Sequence, residues 1–141
     1  AAGADKKAIG RLRNLIAKNP GSDVADDATI ELARLYMKQQ NFELAYKTYM
    51  SLVESDVFST NEAEALLGAS KCLHKLGRLD ESLALSARGL KIPGLSETQK
   101  LEFFKQRYAV LSTTGDRLDA LRALAFIYDK DTKAEMRSNA Q

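Results

Sequence analysis

Residues 26–55 read DDATIELARLYMKQQNFELAYKTYMSLVES. In the first half, Ala28, Leu32, Leu35 and Tyr36 recur at helical spacing and fall on one side of a helix. The polar run Lys38-Gln39-Gln40-Asn41 interrupts the pattern, which resumes with Phe42, Ala45, Tyr46, Tyr49 and Leu52. The stretch predicts two amphipathic helices joined by a break so short that they fold back as an antiparallel hairpin. A single hairpin leaves apolar surface uncovered on both helices, so it requires neighbours of the same kind.

The flanking sequence supplies them. Toward the N-terminus, Ala8, Ile9, Leu12, Leu15 and Ile16 form a stripe between Asp5 and Lys18, closed by Asn19-Pro20-Gly21. Ser22 or Asp23 is placed to cap the helix that follows, with Asp26 and Asp27 near its positive end; Asn41 is placed to cap the next. Residues 56–59 read as a loop, and Ser59-Thr60-Asn61-Glu62 has capping-box spacing ahead of a helix through Ala63, Leu66, Leu67, Ser70 and Leu73 to Leu76. Gly77 ends that helix, and another runs from Leu79 to Leu90 before Pro93-Gly94. Ser96-Glu97-Thr98-Gln99 opens a helix carrying Leu101, Phe104, Tyr108 and Leu111. Gly115-Asp116 ends it and caps a last one with Leu118, Leu121, Leu124 and Ile127. From Asp131 to Gln141 the tail is polar and reads as a short or frayed helix.

Composition agrees with an all-α domain. The 141 residues suffice for one core, and 45% hydrophobic with 28% charged residues is the balance of a folded chain. Two prolines and no sustained alternation of β-branched residues leave strands without support. The 21 basic and 19 acidic side chains nearly cancel, so charge alone predicts neither nucleic acid nor a membrane surface as partner. Cys72 is the only cysteine, which excludes an internal disulfide. Apolar runs fall short of the ~20 residues a membrane span needs, so no membrane insertion is expected of this segment.

Chemistry is sparsely provided for. His74, the only histidine, lies two residues from Cys72, and that offset puts the two side chains on different helix faces. One Cys and one His make no structural zinc site, and no Gly-rich phosphate loop precedes a helix. Asp26-Asp27 and the pair Asp129, Asp131 sit where helix ends explain them, and Tyr36, Tyr46 and Tyr49 follow the core stripe rather than a base-stacking surface. The expectation is a non-enzyme: no catalytic residues, no cofactor, no metal and no nucleic acid.

The breaks inside the hairpins fall at Gln40, Gly77 and Gly115, separated by 37 and 38 residues, and five positions after each stands a small residue: Ala45, Ser82, Ala120. Small side chains there let two helices approach closely. In this pattern, and in Ala33, Tyr36, Phe42, Ala45 and Tyr49, the sequence resembles the tetratricopeptide repeat family. Ser70, Gly77, Leu79, Ser82 and Gly89 carry the likeness through the second hairpin. The third is degenerate, with Tyr108 where the family prefers a small residue and Arg117 where it prefers an aromatic. The resemblance implies a right-handed α-solenoid of about seven helices: a half repeat over 5–19, hairpins over 22–56, 59–92 and 96–130, and the tail 131–141, as part of a longer protein. The junction from Asn19 to Ala28 and the lengthened period resemble bacterial cell-envelope members of the family, among them outer-membrane assembly, Tol-Pal-associated and penicillin-binding-protein activator lipoproteins. That implies the periplasm or the periplasmic face of the outer membrane, with the cytoplasm as the alternative.

In this family the first helix of each repeat lines the inner wall of the superhelix. The resemblance therefore assigns a partner-binding groove to Ile30, Arg34, Met37 and Lys38, continued by Leu67, Lys71, His74 and Lys75 and then by Glu102, Lys105 and Ala109. Arg34 and Lys71 are equivalent positions 37 residues apart, as are Lys38 and Lys75. Such a cation ladder beside Met37 and Leu67 suits a protein or peptide partner bearing acidic side chains or a free C-terminal carboxylate. The asparagines of the family's carboxylate clamp have no counterpart on this wall. The rival expectation is a spacer or oligomerisation module, with homo-oligomers forming through exposed ends of the stack.

Overall fold

The computed structural model describes residues 2–54, 61–115 and 117–139. These form seven helices: α1 (Ala2–Lys18), α2 (Asp23–Lys38), α3 (Phe42–Val53), α4 (Glu62–Lys75), α5 (Leu79–Leu90), α6 (Glu97–Thr114) and α7 (Arg117–Asn139). No strand occurs among the described residues, and the all-α expectation holds.

Local chemistry sets the boundaries. Ser22, rather than Asp23, caps α2, its side chain accepting from the Ala25 amide at 3.1 Å. Asn41 accepts from the Leu44 amide at 3.4 Å to open α3. Ser96 and Gln99 complete a capping box on α6, at 3.1 and 2.9 Å. The 56–59 loop, Ser59 and Thr60 of the expected capping box and the Asp116 cap lie outside the described residues, but α4 begins at Glu62 with Asn61 at its N-cap position, so Glu62 is the first residue of the helix and not the third, as the box requires. Two expectations are corrected: Asp129 and Asp131 lie inside α7 rather than at a helix end, and the tail is no separate element, because α7 runs unbroken through it to Asn139. Its residues are polar but contain neither Gly nor Pro, so nothing in the backbone stops the helix.

Each helix packs on the next, and in addition α2 touches α4 and α4 touches α6. Among the described residues, α3, α5 and α7 make no such contacts with one another. Helices α2, α4 and α6 thus form one layer of direct neighbours, with α3 and α5 packed between them on the other side. Within the α2–α4–α6 layer the helices run parallel: Asn61 donates to Asp27 at 3.0 Å near their N-terminal ends, and His74 meets Thr113 at 3.4 Å near their C-terminal ends.

The core sits where the small residues meet. Ala33 and Ala45 are fully buried in the first hairpin. In the second, Ser70 and Ser82 take those places, the Ser70 hydroxyl reaching the Ser82 carbonyl at 2.9 Å and the Ser82 hydroxyl the Ser70 carbonyl at 2.7 Å. In the third, Tyr108 opposite Ala120 is too large for the same approach and turns outward, 37% exposed. Stacked Phe104 and Phe126 rings, 4.0 Å apart, and the Lys130–Glu97 ion pair hold α7 on α6 instead. Between hairpins, rings lie on glycines: Tyr49 on Gly68 and Phe103 on Gly89.

Candidate functional site

The wall formed by α2, α4 and α6 carries ten of the eleven residues assigned to the groove on its exposed or half-exposed surface. Ile30 is the exception: it is 4% exposed and belongs to the core. Met37 is half-buried, its sulfur 3.7 Å from the Tyr49 hydroxyl, which donates to it. Leu67 lines a cavity of about 240 Å³ between α4 and α6, together with Ala63, Glu64, Thr98, Gln99, Glu102 and Phe103.

The cations are unequal. Arg34 donates to Glu31 one turn away and to Glu64 on α4, so it is already neutralised and joins the two helices. Lys38 is 3.8 Å from Asp5 of α1, and Lys105 is 3.6 Å from Glu102. Half-buried Lys71 and exposed Lys75 have no ion-pair partner among the described residues. His74 contacts Thr113 across the wall.

Sequence reasoning put Glu102 on the wall but missed Asp27 and Glu64 beside it. Asp27, Glu64 and Glu102 are spaced by 37 and 38 residues, the period already found in the hairpin breaks. They form an acidic row near the N-terminal ends of the parallel helices, while Arg34 with Lys71 and Lys38 with Lys75 form basic rows toward the C-terminal ends. Helix dipoles favour this sorting, negative charge at the start and positive at the end. Its consequence is a wall with an acidic edge, a basic edge, and the Leu67 cavity beside the acidic one.

No family model matches this chain, and no curated protein matches it. The site must be read from its own chemistry. Cys72 is completely buried, and burial pushes its thiol up to about 12, which keeps it protonated and a poor nucleophile. Tyr49 is 3% exposed and its phenol is likewise pushed up to about 12, first by burial and then by the neighbouring Cys72. Among the described residues no group of three or more His, Cys, Asp or Glu side chains is placed to hold a metal ion. No helix among them is long and apolar enough to cross a membrane. Tyr36 is buried in the core, and Tyr46 lies under the Arg78 guanidinium, 5.4 Å from its ring centre. Among the described residues the wall presents a surface of sorted charge with an apolar recess at Leu67.

Proposed function

We propose that this chain is a right-handed solenoid of the tetratricopeptide type and a non-catalytic protein-interaction scaffold that holds an extended peptide against the α2–α4–α6 wall. The repeat period, the small-residue pairs at Ala33/Ala45 and Ser70/Ser82, and the parallel layer of α2, α4 and α6 support the family reading. One observation carries the function: Lys71 and Lys75 stand without ionic partners among the described residues on the same helix as the Leu67 recess. An apolar side chain of the peptide fills the recess, and an aspartate, glutamate or terminal carboxylate lies toward the two lysines. Arg34 serves the scaffold rather than the ligand, because Glu31 and Glu64 hold it. Placement in a bacterial cell envelope rests on the resemblance of the junction from Asn19 to Ala28.

Selection from a random peptide library with a free C-terminus tests this reading. Enriched peptides are expected to pair an apolar residue with one or more carboxylates, and the Lys71→Glu, Lys75→Glu double variant is expected to lose them at unchanged helicity. Ligands that bind the double variant equally well would move recognition off this wall.

A further inference from the structure

The face by which one hairpin supports the next stays open at α7. Leu118, Leu121, Leu124 and Tyr128 are 61%, 60%, 40% and 71% exposed. One and two periods earlier, the place of Leu124 is held by Ser86 and Tyr49, 1% and 3% exposed, and the place of Tyr128 by half-buried Leu90 and buried Val53. In those hairpins α4 and α6 cover the positions. Leu124 and Tyr128 therefore continue an interface already built twice in this molecule, and Leu118 and Leu121 extend the apolar surface beside them. Beside it runs a groove of about 480 Å³ between α6 and α7, with Tyr108, Leu111, Ala120, Leu121 and Leu124 in its lining. An apolar stripe of this extent marks an interface rather than a solvated face.

We infer that a second copy of this chain covers it, with α7 packed antiparallel on α7 about a two-fold axis near residues 125–126. The argument is charge. Arg122 and Asp129 are seven residues apart, two helical turns, and so flank the stripe on one side. Antiparallel copies set Arg122 of each opposite Asp129 of the other, and the two-fold makes that pairing twice. A parallel pair would set Arg122 against Arg122 and Asp129 against Asp129. The local partners of both side chains, Asp119 and Lys133, are exposed neighbours on the same helix turn and compete weakly. The same geometry brings Leu121 and Leu124 of one copy against Tyr128 of the other and closes the groove beside them. The inference uses none of the wall's lysines or carboxylates, so it stands or falls separately from the peptide reading.

Sedimentation equilibrium of the full chain tests it. The expected result is a species of twice 15.5 kDa that grows with concentration, and a Leu121→Glu, Leu124→Glu variant that stays monomeric with unchanged helicity. Arg122→Asp and Asp129→Arg are each expected to weaken self-association at least tenfold, and an equimolar mixture of the two to restore it as a heterodimer, since both cross-pairs are then attractive. A monomer at every concentration overturns the inference. So does a dimer that persists in the Leu121→Glu, Leu124→Glu variant, or a mixture no better than its components.

Discussion

A β-carbon built on Gly68 falls 2.4 Å from Cζ of Tyr49, and one on Gly89 falls 2.3 Å from the Phe103 ring, while one on Gly10 meets nothing within 4 Å. Both rings are buried, so neither can swing away without moving a neighbouring helix. Gly68→Ala and Gly89→Ala are each expected to destabilise by about 1–3 kcal/mol through overpacking. Gly10→Ala, on an exposed helix face, should gain up to about 1 kcal/mol from helix propensity. Urea unfolding of the three variants separates these cases; equal effects would mean that the inter-hairpin contacts are not close. The buried acids make a second prediction. Cys72 and Tyr49 hold their protons to about 12 in the folded chain, whereas the unfolded thiol and phenol release theirs near 8.5 and 10, roughly the values of free side chains. Raised folded values mean that the stabilisation is complete below the unfolded pKa and is lost as pH rises toward the folded one. Stability should fall by up to about 1.4 kcal/mol per pH unit per group between about pH 9 and 12. Cys72→Ala and Tyr49→Phe should each flatten that slope in unfolding measured at several alkaline pH values; an unchanged slope would place the alkaline sensitivity elsewhere.

At the scale of helices, the three hairpin breaks differ in one respect. Gly77 and Gly115 adopt φ of +78° and +81°, and Gln40, at the equivalent place, has φ of +59°. The first two breaks close in the same way: Asn41 donates to the Tyr36 carbonyl and Arg78 to the Leu73 carbonyl, each at 2.9 Å. Gln40 thus holds a glycine's conformation with a side chain attached. Gln40→Gly is expected to stabilise by about 0.5–1 kcal/mol, the left-handed penalty less the extra freedom glycine gives the unfolded chain. A loss on thermal denaturation would show that the Gln40 side chain contributes more than its strain costs. This turn was legible in sequence by its polarity and its period, as were Ser22, Asn41 and the Ser96–Gln99 box, because capping depends on a few adjacent residues. Burial of Ile30 was not: helix periodicity puts it opposite the stripe of Ala28, Leu32, Leu35 and Tyr36, and only the packing of a further helix on that side buries it. The acidic row was legible in principle, since Asp27, Glu64 and Glu102 share the period, but only an interhelix distance reveals that Glu64 consumes Arg34. The unbroken α7 escaped because a polar sequence without stop residues looks alike whether it frays or continues.

For the molecule as a whole, the order of contacts predicts the order of opening. In a stack where each helix touches mainly its neighbours, stability is a sum of local and nearest-neighbour terms, and the ends open first. Among the described residues, helix α4 touches α2, α3, α5 and α6, whereas α1 packs on α2 alone and α7 on α6 alone. Amides of Leu66, Ala69, Cys72 and Leu73, all fully buried, should exchange only through global unfolding. Those of α1 and α7 should exchange at least about tenfold faster, equivalent to about 1.4 kcal/mol or more of easier opening. The two ends are not equivalent if copies pair through α7. Raising the protein concentration should then slow exchange in α7 while leaving α1 unchanged, because binding to the folded state protects only the element it covers. Hydrogen exchange resolved by peptide at two concentrations decides both points. Uniform protection from α1 to α7 would mean that the stack unfolds as one unit and that contact order along it has no energetic consequence. Protection that rises equally at both ends would transfer the self-association from an α7 pair to an end-to-end contact of α1 on α7, which builds open chains of copies instead of a closed dimer.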